Sequence, residues 1–233
     1  IPKRDWSSDV CSSDLAQHAT RDLNARSPAG GMHPRVEALL RRKQWAQRTP
    51  EWYAKRRELL TASDVASALG IKPYATYRGD IRAETLQKKL ADKPFSNVFV
   101  AHGQKYEQEA CDMIARVLGE RVLEFGLLVH ERHPWLAASP DGVTTSGAAV
   151  EIKCPLRRAI VPGEVPHHYM PQVQTQMEVC DLDMTYFCQY KPAHMCPDRK
   201  PFLDITVVAR DRDRKSTRLN SSHVSESRMP SSA

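Results

Sequence analysis

Asp141, Glu151 and Lys153 are the residues whose types and spacing could do chemistry. Asp141 sits in Ala138-Ser139-Pro140-Asp141-Gly142, and the other two in Val150-Glu151-Ile152-Lys153-Cys154-Pro155. Thr144, Thr145, Ser146 and Gly147 lie between these segments, and their turn chemistry predicts a hairpin. Side chains alternate along a strand, so Glu151 and Lys153 share one face and Ile152 takes the other. With Asp141 on the first face, two carboxylates and one ammonium meet at one spot. Two carboxylates make a hard-oxygen site for Mg²⁺ or Mn²⁺. A neighbouring lysine can orient or deprotonate a bound water, or neutralise charge developing on a phosphate. The same residues also suit a plain surface hairpin closed by one salt bridge.

Several elements must hold that hairpin in place. Residues 35–48 (RVEALLRRKQWAQR) predict an amphipathic, basic helix with Val36, Leu39, Leu40 and Trp45 on its apolar side. Thr49-Pro50-Glu51 reads as a second helix start, with Thr49 the cap and Pro50 in the first turn. Lys55, Arg56 and Arg57 follow, a run that also suits a solvated face. Thr61 or Ser63 could cap a helix from Asp64 to Leu69 that Gly70 ends. A helix start with hydroxyls and nearby arginines also suits a phosphate. A helix is expected from Tyr77 to Leu90, and a long one from Phe99 to Leu118 closed by Gly119. Ala110, Ile114, Val117 and Leu118 form the apolar stripe of that long helix, and Glu107 falls along it. A carboxylate so placed needs a partner or a metal. Residues 121–130 read as a strand, Tyr169 to Val179 as a helix, and Met184 to Tyr190 and Phe202 to Val208 as strands. Tyr169, Gln172 and Gln176 share one face of the helix. The order of elements predicts an α/β layout with the site on a sheet.

The ends of the chain read differently. Asp5 to Leu15 is DWSSDVCSSDL and Asp213 to His223 is DRKSTRLNSSH. These peptides are antisense translations of one DNA string, as expected of sequencing-library adapter read through at both ends of a fragment. Residues 1–15 and 213–233 are therefore set aside, Met32 becomes a candidate start, and the C-terminus is expected to be truncated. The remainder divides into a basic helical segment, 16–48, and a domain, 49–212.

The chain has 233 residues and a net charge of +6. The two tails hold six Lys+Arg and five Asp+Glu, which leaves 28 against 23 between them. That modest basic excess suits a polyanionic partner without requiring one. Cys111, Cys154, Cys180, Cys188 and Cys196 have no tight spacing, as expected of reduced thiols in a cytoplasmic setting. No apolar run approaches a membrane span, and no signal peptide is expected.

Four blocks, in order, carry a resemblance to a known family. They are Trp52 through Thr61-Ala62-Ser63; His102-Gly103-Gln104-Lys105-Tyr106-Glu107; Ser139-Pro140-Asp141-Gly142 with Glu151-Ile152-Lys153-Cys154-Pro155; and Tyr169-Met170-Pro171-Gln172-Val173-Gln174. Across Thr49 to Pro192 the chain resembles the YqaJ-type viral recombinase family, which includes the phage lambda exonuclease. The resemblance implies a restriction-endonuclease-like α/β core with a mixed central sheet flanked by helices. It implies an Mg²⁺-dependent nuclease, with Mn²⁺ as a substitute, that digests one strand of linear duplex DNA from the 5′ end by two-metal hydrolysis. It also implies a single-strand annealing protein as partner and a homotrimer around DNA. Carried over by position, Asp141 and Glu151 are metal ligands together with the Ile152 carbonyl. Lys153 is the catalytic lysine, Glu107 helps hold a second metal or the water, and Gln172 supports the site beside Tyr169. Arg56 and Ser63, with Thr61, grip a terminal phosphate, a role compatible with capping. Two other readings stay open: a DNA-binding module without catalysis, and a zinc or iron–sulfur protein using Cys180, Cys188, His194 and Cys196.

Overall fold

The structure is a computed structural model that describes residues 31–91 and 97–212. The expected adapter peptides lie outside the described residues. The first helix, α1 (Pro34–Arg41), is shorter than the predicted 35–48. Its chain leaves the helix at Arg42, whose backbone is extended. The Arg42 guanidinium donates to the carbonyls of Val179, at 3.0 Å, and Val129. Beyond it, Trp45 pairs with Leu127 as an isolated β-bridge. Long-range hydrogen bonds thus replace the helical ladder that the apolar pattern suggested.

Helix α2 (Pro50–Glu58) starts as predicted, with Thr49 Oγ1 accepting from the Trp52 amide at 3.2 Å. It gives way to β1 (Leu60–Thr61) and then α3 (Ala62–Ala68), followed by Gly70 in the left-handed region. Helix α4 covers Ile81–Leu90, starting later than Tyr77 because the Asp80 side chain caps it. Helix α5 (Val98–Leu118) runs 21 residues between an Asn97 cap and left-handed Gly119. Its buried row is Tyr106, Ala110, Ile114 and Leu118, one residue every helical turn. Val117 of the predicted stripe is 48% exposed instead.

The predicted strand over 121–130 is two short strands, β2 (Val122–Leu123) and β3 (Leu128–Val129), in different sheets. Gly126 separates them where the backbone of Trp45 crosses: an added Cβ would lie 2.2 Å from the Trp45 oxygen. Strand β4 (Leu136–Ala138) sits between β1 and β3 in a three-stranded sheet, parallel to β1. The hairpin follows as β5 (Gly142–Thr144) and β6 (Ala149–Lys153), with Gly142 opposite Val150. Next come a 3₁₀ turn (His167–Tyr169), helix α6 (Met170–Cys180) and the long strands β7 (Met184–Lys191) and β8 (Phe202–Ala209).

The main sheet has the order β2-β5-β6-β7-β8, antiparallel except for the parallel β6–β7 pair. This mixed sheet flanked by helices is the predicted α/β core. Alternation assigns its faces. Val150 and Ile152 of β6 pack with Tyr186 and Cys188 against the inward row of α5. On the other side Phe187 packs with Val173 and Met177 of α6. Each such buried aliphatic side chain contributes about 1.5–3 kcal/mol. Strand β6, central and parallel to β7, is thereby fixed in register, and with it the position of Glu151.

Candidate active site

Asp141 lies one residue before β5, and its Oδ2 accepts from the Ile152 amide at 2.7 Å. The hairpin therefore closes through the carboxylate itself. Glu151 is only 1% exposed. Its Oε1 pairs with the Lys153 ammonium and accepts from Gln172 Nε2 at 2.7 Å. Its Oε2 accepts from Gln176 Nε2. Gln172 Oε1 in turn lies 3.4 Å from Lys153 Nζ, and the ammonium stands 4.8 Å from the centre of the Tyr169 ring. Glu107 reaches the same region from α5, with both its oxygens on Arg48 Nη2 at 2.7 and 2.6 Å.

The charges act on one another. Burial pushes the Asp141 carboxyl well above the usual carboxylate range, and Glu151 and Glu107 add to the rise while Lys153 opposes it. Burial also raises Glu107, against Arg48. Burial alone would lower Lys153, but Glu151 and Asp141 outweigh it and the ammonium is held charged. Cys154, next in sequence, is pushed up to about 12 by burial, so its thiol is not an available nucleophile at neutral pH.

A second cluster faces the first across a cleft of about 1110 Å³. Arg56 stacks on Trp52, 4.3 Å from the ring centre, and donates to Ser63 Oγ at 3.0 Å. Thr61 Oγ1 is 3.0 Å from the same hydroxyl. Asp64 accepts from the Thr61 amide at 3.1 Å and pairs with Lys89 at 2.7 Å, so its charge is already balanced. Trp52 Nε1 donates to Ser139 Oγ at 3.0 Å, tying this cluster to the Asp141 loop.

All ten residues singled out from the sequence line this one cleft: Arg56, Thr61, Ser63, Glu107, Asp141, Glu151, Ile152, Lys153, Tyr169 and Gln172. Two more belong with them that sequence reasoning left out of the site. Gln176 lies one turn beyond Gln172 on the face already noted, so the helical period could have found it. Arg48 had no local signal.

Among the described residues, no three His, Cys, Asp or Glu side chains form a ready-made metal cluster. The residues of the sulfur-based reading stand apart, and their placement corrects it. Cys180 is buried among aliphatic groups beside α1, whereas Cys188 is buried under α5. His194 stacks near Tyr106, and Cys196 is half-buried. The acidic residues differ in kind. Asp141, Glu151 and Glu107 repel one another in a shared, partly desolvated spot, and all their donors are hard oxygens, a set that fits Mg²⁺ or Mn²⁺.

Residues 51–183 match the YqaJ-like viral recombinase domain, more than half of the chain. The chain belongs to this family. One relative is protein R354 of Acanthamoeba polyphaga mimivirus, 34% identical over 175 residues, or 67% of this chain and 31% of that protein. Another is protein D345L of African swine fever virus, 29% identical over 160 residues, or 55% of this chain and 45% of that protein. The chain thus spans less than half the length of these relatives. Among solved structures, an alkaline exonuclease of Laribacter hongkongensis superposes with a TM-score of 0.59 at 27% identity. That match covers 74% of this chain and 88% of the exonuclease. The same exonuclease in complex with dAMP gives a TM-score of 0.56 at 29% identity, over 70% and 83% of the two chains. The YqaJ-like assignment and these superpositions agree on the restriction-endonuclease-like fold.

Proposed function

We propose that the protein is a divalent-metal-dependent exonuclease that hydrolyses one strand of linear duplex DNA from the 5′ end. The observation that carries this is the Lys153–Glu151 pair, with Asp141 and Glu107 acting on the same spot. A half-buried lysine among three carboxylates suits hydrolysis of an anionic phosphodiester better than a structural ion pair, which needs one acid. Similarity to an alkaline exonuclease supports the reading.

Asp141, Glu151, the Ile152 carbonyl and Glu107 would hold Mg²⁺ or Mn²⁺. Bound there, the metal would supply a water acidified towards hydroxide and charge neutralisation at the phosphate. The protein's own groups do the rest. Glu151 is fixed by Gln172 and Gln176, so its oxygens need no reorganisation when substrate arrives. Lys153, held charged, can donate to the phosphate oxygen that gains charge or orient the attacking water. Arg56, Ser63 and Thr61 would bind the terminal 5′-phosphate and set which bond reaches Lys153. The reading extends to a host cytoplasm, an annealing protein that takes the surviving strand, and a homotrimer around the duplex.

The test is a time course on linear duplex DNA labelled at the 5′ or 3′ end, with and without Mg²⁺. Wild type should release 5′-terminal nucleotides only with the metal. Asp141→Ala and Lys153→Ala should each be slower by about 10²-fold or more, with duplex binding retained. Equal degradation by wild type and both variants would refute the proposal.

A further inference from the structure

We infer that Arg48, which precedes the family-matched segment 51–183, is a DNA-phosphate-binding residue of the cleft, docked on Glu107 until the duplex arrives. The inference rests on the proposed reading of this cleft as a DNA site.

Arg48 is one of three non-glycine residues with positive φ among those described, at 65°. For a residue with a β-carbon this conformation is unfavourable and persists only where neighbouring structure imposes it. Here it is imposed from both sides. The Trp45 amide donates to Leu127 O at 3.3 Å, and the Leu127 amide returns the bond at 2.8 Å. Gln44 Oε1 accepts from the Gly126 amide at 2.9 Å. Gln47 Nε2 donates to Phe125 O at 2.8 Å and to Pro140 O, beside Asp141, at 3.1 Å. Thr49 then starts α2. The linker is bolted to the loop that carries Asp141, and Arg48 is the residue it delivers into the cleft.

The pairing of Arg48 leaves capacity unused. One nitrogen, Nη2, makes both bonds to Glu107. Among the described residues Nη1 and Nε have no hydrogen bond, so each is open to a single charge-assisted bond to a phosphate oxygen. Stability does not account for the arrangement. Arg48 is 46% exposed, and an ion pair at that exposure contributes too little to offset left-handed backbone at an arginine. A strained arginine aimed at the acidic centre, with half its donors open, is a preorganised anion contact.

The experiment is fluorescence anisotropy of a labelled linear duplex with the 233-residue chain in EDTA over a NaCl series. Arg48→Gly is the main variant, because glycine adopts the left-handed backbone without strain and the protein should be no less thermally stable. It should bind about 3–30-fold more weakly, and the slope of log K against log salt should shrink by about one phosphate. Arg48→Lys should restore the slope but not all the affinity. Arg132→Ala, a 68%-exposed arginine outside the cleft, should match wild type. An unchanged slope in Arg48→Gly would overturn the inference, as would wild type that binds no duplex. Binding without hydrolysis, with the slope change present, would sink the nuclease reading and leave Arg48 a phosphate contact.

Discussion

Gln172 and Gln176, one turn apart on α6, donate to opposite oxygens of the same carboxylate, that of Glu151. Glu151 is 1% exposed and Gln176 fully buried, so water cannot replace either bond. Removing one donor leaves a desolvated carboxylate oxygen unsatisfied, at a cost of about 1–3 kcal/mol. Gln176→Ala should therefore lower the unfolding free energy by that amount, read as a lower urea midpoint at unchanged m, and slow DNA hydrolysis. Duplex affinity in EDTA should hold, because Gln176 has no exposed surface to offer a phosphate. A wild-type midpoint in Gln176→Ala would show that the pair does not hold Glu151.

How much of this site the sequence displayed depended on the distance over which each contact is specified. Asp141, Glu151 and Lys153 come from one hairpin, where strand alternation settles orientation within a few residues. Gln172 and Gln176 follow from helical spacing. Glu107 could be placed on the inward row of α5, but nothing local said which cation would meet it. Arg48 does so across 59 residues, through a left-handed backbone that only long-range bonds enforce. The split of 121–130 into two strands had the same origin: the Trp45 backbone crosses at Gly126, a long-range contact that the local pattern does not encode. The end of α1 was likewise set by Arg42 reaching Val129 and Val179, contacts that no apolar periodicity encodes.

That crossing can be tested directly. In Gly126→Ala the new Cβ would lie 2.2 Å from the Trp45 carbonyl oxygen and 2.7 Å from its carbon, both backbone atoms already pinned to Leu127. The clash should cost about 1–3 kcal/mol and lower the thermal midpoint. Gly103→Ala is the contrast. Gly103 sits inside α5 with nothing within 4 Å of an added Cβ, so alanine should raise stability by about 0.5–1 kcal/mol through helix propensity. Equal midpoints for the two variants would contradict the close approach.

His168 predicts a pH dependence. It is half-buried, its Nδ1 has no hydrogen-bond partner among the described residues, and its ring stacks 4.1 Å from Tyr169. Burial, helped by His167, Arg158 and Lys153, lowers its pKa to about 4, against about 6.5 in an unfolded chain. Between those values the unfolded state binds the proton and the folded state does not. Stability is thus fully present above about pH 6.5 and falls as pH drops towards 4. Urea midpoints measured from pH 7 to 4.5 should decline more steeply in wild type than in His168→Gln. Parallel declines would mean that the imidazole is not held neutral by the fold.

Arg56 decides whether the second cluster reads a terminal phosphate. Its guanidinium is desolvated, which lowers its pKa against the pull of Asp64, and is oriented by the Trp52 ring and Ser63 Oγ. Asp64 is already paired with Lys89, so Arg56 keeps charge for a further anion. A charge-assisted bond contributes about 1.5–3 kcal/mol, which is roughly a ten- to hundredfold preference for an end that carries the 5′-phosphate. Arg56→Ala should remove most of that preference, measured as the ratio of hydrolysis rates on phosphorylated and unphosphorylated duplexes. Arg56→Lys should keep only part of it, because an ammonium is a point charge without the flat fork that stacks on Trp52. A ratio unchanged in Arg56→Ala, with the unphosphorylated rate intact, would move phosphate recognition away from this cluster.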